Sequence, residues 1–236
     1  MILTAEQLEI TELVHSFVEI EVRSISSEFD RSGEFPFDLY KTACKMQLNC
    51  LDLPEEYGGP GISKVTACIV REELSWADAG FALSVGANGL GMKPLLIAGT
   101  EAQRRHFADV VTSGGFSAFA LTEPDAGSDA GACRSTAVAV GDEYVLNGHK
   151  CFITNGALAD IYTVVASTDP SKGVKGLTMF MVDRNTPGLS VGKHEDKMGI
   201  RLSNTADVIF EDVRIPKANR IGSEGSGFKI AMETLN

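Results

Sequence analysis

The chain has 236 residues, 44% hydrophobic and 22% charged, an ordinary balance for a globular protein able to bury a sizeable core. Its formal net charge of −11 leaves no basic excess to release counterions. That argues against broad electrostatic binding of nucleic acid or an anionic membrane, and any polyanionic ligand would need local Lys or Arg.

The first predicted element opens with the capping-box pattern Thr4-Ala-Glu-Gln7, after which Leu8, Leu13, Val14, Phe17, Val18 and Val22 recur at roughly helical spacing to about Ser27. A second helix starts at Pro36, with Phe37, Tyr40, Cys44 and Leu48 on one face, and stops before Gly58-Gly59-Pro60-Gly61. Further helices are expected over Ser63–Trp76, over Phe81–Ile97 with Gly99 as its stop, and over Thr100–Thr112, opened by the box Thr100-Glu-Ala-Gln103. Beyond Gly115 the period changes to two: Thr136, Val138 and Val140 alternate, as do Tyr144 and Leu146, with tight turns at Gly141-Asp142 and Asn147-Gly148. Ile161–Ser167, Leu177–Val182, Leu189–Val191 and Val208–Val213 extend this β region, and a helical pattern restarts at Gly225. The expected fold is therefore α+β: an all-α helical domain over 1–114, an antiparallel β-barrel or sandwich over 115–224, and over 225–236 the first turns of a further helical domain.

Two loops carry the chemistry. Phe119-Ala-Leu-Thr-Glu-Pro-Asp-Ala-Gly-Ser-Asp129 and Phe152-Ile-Thr-Asn-Gly156 each follow an apolar, strand-like run with hydroxyl-bearing turn residues, which presents backbone amides and Ser or Thr oxygens at a sheet edge. An isoalloxazine ring needs such donors for its nitrogens and carbonyls and an aromatic wall for its face; Phe152 can supply the wall, and Thr122, Ser128 and Thr154 the donors. Glu123, Asp125 and Asp129 tempt a reading as catalytic bases, but shaping the turn and receiving backbone donors is the preferred role. Gly222-Ser-Glu-Gly-Ser-Gly227 echoes a dinucleotide loop without a preceding βαβ unit and is read as a connecting turn, while the small residues of Gly86-Ala-Asn-Gly-Leu-Gly91 permit close helix packing. Lys172 and Lys175 sit in a loop where they can steer phosphates, although a solvated loop is the simpler role. The five cysteines and four histidines lack ligand spacing, so neither a zinc site nor a disulfide framework is read, no metal is expected, and a reducing compartment is. Met92, Met179, Met181 and Met232 read as core filler.

The two loops closely resemble the flavin-binding signatures of the acyl-CoA dehydrogenase family. Other stretches resemble the family in order: Asp52-Leu-Pro-Glu-Glu-Tyr-Gly-Gly59, Glu72-Glu-Leu74, Gly99-Thr-Glu-Ala-Gln103, Lys197-Met-Gly-Ile200, Phe210-Glu-Asp-Val-Arg-Ile-Pro216 and Gly225-Ser-Gly-Phe-Lys-Ile-Ala-Met232. The short-chain, butyryl-CoA type is the nearest flavour. The resemblance implies FAD held by Phe119, Leu121, Thr122, Gly127, Ser128, Phe152, Ile153 and Thr154, with Phe152 standing where many members have Trp. Ser128 would also touch the acyl-CoA; Lys175 and Asn236 complete the expected substrate contacts, Asn236 standing where the family usually has Asp. The implied reaction is oxidation of a short-chain acyl-CoA to the trans-2-enoyl-CoA, with hydride passing to flavin N5 and electrons leaving to an electron-transfer flavoprotein. The family's base is a Glu on a C-terminal helical domain that also grips the adenine end of FAD and builds the homotetramer; no residue here matches it, so no catalytic residue is assigned. Alternatives are a non-catalytic flavin-binding or interaction protein, an enoyl-CoA reductase, and a flavin monooxygenase or oxidase on the same fold. No apolar run is read as long enough to span a bilayer, and with no leader evident after Met1 the expected location is the bacterial cytoplasm, with the mitochondrial matrix as alternative.

Overall fold

The structure, a computed structural model, describes residues 2–236. Thr4 caps α1 (Ala5–Phe17) through a reciprocal pair: its hydroxyl accepts from Gln7 N, and the Gln7 side chain accepts from Thr4 N. The helix does not stop near Ser27. A π-turn over Val18–Val22 carries it into α2 (Arg23–Ser32), which ends at Gly33 with φ 72°. The wider turn adds a residue per revolution, which keeps both Val18 and Val22 fully buried. Next come α3 (Phe37–Lys45), α4 (Lys64–Ala77, capped by Ser63), α5 (Ala79–Ala98, capped by Asp78) and α6 (Glu101–Thr112, opened by the expected Thr100/Gln103 box).

Contrary to the sequence reading, α5 is long and apolar enough, by length and composition, to cross a membrane. In this fold it is the central helix, with Phe81, Val85, Met92 and Leu95 buried in protein. Its glycines allow close approach: a Cβ on Gly91 would lie 2.6 Å from Ser117 Oγ, on the first strand of the β region. Between them Asn88, 1% exposed, donates to Tyr40 Oη (3.0 Å) and Asn49 O (3.2 Å) and accepts from Ser117 N (2.7 Å). Truncation would strand several buried polar groups, so Asn88→Ala is expected to cost about 3 kcal/mol, measurable as a lower urea midpoint at unchanged slope.

The β region contains β1 (Ser117–Ala120), β2 (Thr136–Val140), β3 (Glu143–Thr154), β4 (Ile161–Ser167), β5 (Leu177–Asp183), β6 (Leu189–His194), β7 (Thr205–Pro216) and β8 (Arg220–Ile221). The order is β6-β7-β3-β2-β4-β5-β8, with β1 beside β4. The helical region followed by a β region is as expected, but the sheet is open rather than a closed barrel. It is also mixed, because β1 and β2 both run parallel to β4. The long excursion from residue 121 to 160 makes the parallel return possible. Helices remove the need for closure. Along β4 and β5 one face, with Tyr162, Val164, Phe180 and Val182, joins the core shared with α1, α3, α4 and α5. The other face, with Ile161, Val165, Met179 and Met181, packs with residues of α6 and of α7 (Gly227–Leu235). That double cover explains why all seven residues of β4 are buried. The glycine-rich stretch before α7 is a connecting turn, as read: Gly225 N donates to Thr178 Oγ1 (3.0 Å), and a Cβ on Gly227 would meet Thr178 backbone at 2.6 Å.

Candidate functional site

The two turn-rich segments come together on one groove. The chain leaves β1 at Ala120, passes through Leu121 and Thr122, and turns back at Glu123–Ala126 before a 3-10 turn at Ala130–Ala132. Beside it runs the end of β3, where Cys151 N donates to Thr122 O (3.0 Å). Phe119, Leu121, Thr122, Gly127, Ser128, Phe152, Ile153 and Thr154 all line the groove, whose volume is about 480 Å³, and α5 and α7 close its sides with Leu90, Phe228, Met232 and Leu235. Among the described residues, the hydroxyls of Thr122, Ser128 and Thr154 have no hydrogen-bond partner in the protein, and neither does the Thr122 N–H.

An irregularity in β3 aims the aromatic wall. The register with β7 shifts between Lys150 and Ile153, and Phe152 adopts a left-handed φ of 57°. Strand alternation breaks there: Cys151 and Ile153 are both buried, while Phe152 is 62% exposed and presents its ring to the groove. A bulky residue in this region of backbone space is strained, and such strain persists where surrounding structure over-determines it. The anchor is Asn155, also left-handed and fully buried; it donates to Ser84 O (2.9 Å) and accepts from Ser84 Oγ (3.0 Å), docking the second loop on α5. The sequence reading missed this anchor, for which the only local signal was Asn followed by Gly.

Glu123 is buried behind the groove, outside its lining. Its carboxylate accepts from Arg134 N (2.7 Å), Ser135 N (3.0 Å), Ser135 Oγ (2.6 Å), the Cys133 thiol (3.0 Å) and Lys150 Nζ (2.7 Å). Burial alone would push its pKa up, but the Lys150 ammonium and the hydrogen bonds from Cys133, Lys150 and Ser135 outweigh burial and hold it at about 2. Burial pushes the Cys133 thiol up to about 11, so it stays protonated and donates. A carboxylate depressed from 4.5 to about 2 contributes stability that is complete above pH 4.5 and is lost as pH falls through 2. Glu123→Gln is accordingly expected to flatten acid unfolding in that window, followed by fluorescence at stepped pH. The turn-shaping role read for Glu123 therefore holds. Asp125 is exposed and pairs with Arg134 (2.9 Å), and Asp129 stands on the groove lining beside the 3-10 turn. Lys150, fully buried, escaped the sequence reading altogether.

Lys175 lies on the exposed loop Pro170–Gly176, outside the groove lining; the loop abuts the site through Val174, whose side chain would lie 2.7 Å from a Cβ on Gly131. Lys172 is held by Asp169 at 2.7 Å. Asn236 follows Leu235, a groove residue, and is exposed. A separate cleft of about 430 Å³ runs between Phe35 and Lys197; neither loop lines it, although Asn204 and Thr205 on its wall pair with Asn155 and Thr154 of the second loop. Its cations are already engaged, Lys197 Nζ with Ser203 O (2.6 Å) and Arg201 Nε with Asp30 O (2.6 Å). His15 pairs with Glu73 and Glu19, His106 with Asp183 and His149 with Asp207, all away from the groove.

The donor set fits an isoalloxazine ring: free hydroxyls and a free amide on one side, an exposed aromatic ring, and apolar walls from Leu90, Leu121 and Met232. Comparison with known proteins agrees with that fit. An acyl-CoA dehydrogenase of Bacillus subtilis (strain 168) is 42% identical over 239 residues, covering 100% of this chain and 63% of its own length. The butyryl-CoA dehydrogenase structure from Megasphaera elsdenii superposes with a TM-score of 0.94 at 40% identity, covering 100% of this chain and 63% of that one. A chain from the structures of the electron transferring flavoprotein of Acidaminococcus fermentans, described in connection with flavin-based electron bifurcation, superposes with a TM-score of 0.96 at 42% identity, covering 100% and 62%. The chain thus spans about three-fifths of the length of the curated relatives it matches. Family models described as the acyl-CoA dehydrogenase N-terminal domain and middle domain match residues 4–115 and 118–213, and the chain belongs to the acyl-CoA dehydrogenase family.

Proposed function

We propose that this chain forms the N-terminal and middle parts of an FAD-dependent dehydrogenase that oxidises a short-chain acyl-CoA to its trans-2-enoyl thioester, passes electrons to an electron-transfer flavoprotein, and works as a homotetramer at full length. The observation that carries the reading is the convergence of three unpartnered hydroxyls, a free backbone N–H and an outward-turned Phe152 on one groove. A solved family member holds FAD. When bound, FAD supplies the two-electron acceptor that dehydrogenation requires.

The chain's own residues bind and orient. Thr122, Ser128 and Thr154 donate hydrogen bonds, and Phe152 supports the flat face of the ring. Leu90, Leu121, Met232 and Leu235 exclude water, which strengthens every polar contact inside. Ser128, on the exposed arm of the first loop, is assigned to both cofactor and thioester; Lys175, on the neighbouring loop, to CoA phosphate; and Asn236, beside Leu235, to the substrate. Glu123 is withdrawn from proton transfer by its ion pair, and the resemblance assigns the base to the part of the relatives that this chain does not span.

The test is an absorption spectrum of the purified full-length protein, followed by anaerobic addition of butyryl-CoA. A flavin spectrum that bleaches supports the reading. A flavin spectrum indifferent to acyl-CoA thioesters overturns the substrate class, and protein unable to take up FAD overturns the cofactor.

A further inference from the structure

Among the described residues, Lys150 is the only lysine or arginine whose side chain is fully buried, and neither the groove nor the solvent reaches it. Its ammonium has three acceptors: Glu123 Oε1 at 2.7 Å, Leu121 O at 3.0 Å and Cys133 Sγ at 3.5 Å. The ion pair with Glu123 balances the buried charge, and the bond to Leu121 O, while satisfying a second ammonium proton, ties that charge to the peptide that borders the groove. That carbonyl belongs to the same peptide unit as the Thr122 N–H. In a trans peptide the C=O and N–H point in opposite directions, so the unit that receives Lys150 on its buried side directs its N–H away from Lys150. That N–H has no acceptor among the described residues, and Thr122 lines the groove. A cation bonded to a carbonyl polarises its peptide and makes the N–H a stronger donor, all the more where water is excluded.

We propose that Lys150 is a positioning residue that acts through the Leu121–Thr122 peptide: it fixes the plane of that peptide and strengthens the Thr122 N–H as a donor to the ring bound in the groove. The proposal rests on the flavin reading. Glu123 has a matching part, keeping the ammonium in place and the buried charge balanced, while Arg134 N and Ser135 N hold Glu123 in turn. Because a flavin gains electron density on reduction, a stronger donor favours the reduced form, so Lys150 tunes the cofactor without touching it.

The experiment compares the parent protein with two charge-balanced variants, Glu123→Gln/Lys150→Gln and Glu123→Gln/Lys150→Met, each titrated with FAD and then poised in a spectroelectrochemical cell. Glutamine keeps an N–H donor without the charge; methionine keeps only the volume. The expected order in affinity and in reduction potential is parent, then Gln/Gln, then Gln/Met, with the last binding FAD about tenfold more weakly and reducing at a more negative potential. Folded variants with parent-like affinity and potential overturn the proposal while leaving the flavin reading intact. Two unfolded variants assign the pair to folding alone and overturn it equally. A parent protein that takes up no FAD removes the flavin reading itself, and the proposal with it.

Discussion

Lys150→Met as a single substitution is expected to lose about 3–5 kcal/mol of stability, because it leaves the Glu123 carboxylate buried without its cation. Four hydrogen bonds to the carboxylate remain, from Arg134 N, Ser135 N, Ser135 Oγ and the Cys133 thiol, but none carries a positive charge. A loss of that size is a large share of the stability of an ordinary domain, so urea denaturation of parent and variant reads it directly. Adding Glu123→Gln should restore most of it, since a neutral pair of similar volume owes nothing to an unpaired buried charge. A single variant as stable as the parent would mean that the carboxylate, once freed of the ammonium that holds its pKa down, takes up a proton or water at little cost.

Phe152→Gly is expected to separate stability from binding. The left-handed backbone at φ 57° costs an L-residue roughly 1–2 kcal/mol and glycine nothing, while glycine brings an entropic penalty of about 0.5–1 kcal/mol. The ring is 62% exposed, so little core packing is lost. Stability of the unliganded protein should therefore stay within about 1 kcal/mol of the parent, on the favourable side. FAD binding should weaken at least about tenfold, because the flat wall is gone. Phe152→Trp, which keeps a flat apolar face, should bind FAD within a few-fold of the parent. Thermal melts without ligand and FAD titrations of both variants decide it; a glycine variant that binds as the parent does would remove Phe152 from the site. The strain is then the cost of turning an aromatic ring out of a strand whose neighbours, Cys151 and Ile153, are buried.

Features written within a few residues were legible from sequence. Both Thr/Gln capping boxes formed, because a hydroxyl and an amide three positions apart can satisfy one another's helix start without help from the rest of the chain. The change from a period of 3.6 to a period of 2 marked where helices give way to strands, since side-chain direction follows from backbone geometry alone. The two hydroxyl-bearing loops stood out for the same reason, and Glu123 receives backbone donors, as read from its place in the turn.

What escaped depends on partners far apart in the chain. A lysine in the middle of β3 looks like an exposed residue until Glu123, 27 positions away, meets it in the interior. Asn155 finds Ser84 across 71 positions. The outward turn of Phe152 follows from a register shift against β7, and the open, mixed sheet follows from helices covering β4 and β5 on the side where a second sheet was expected. By itself the sequence determined the elements, the order of the two regions and which loops hold the groove's donors, because propensity, capping and turn chemistry act over a few bonds. Only the tertiary structure decided which of those groups are buried, paired or left free for a ligand, because desolvation and close packing belong to the assembled chain.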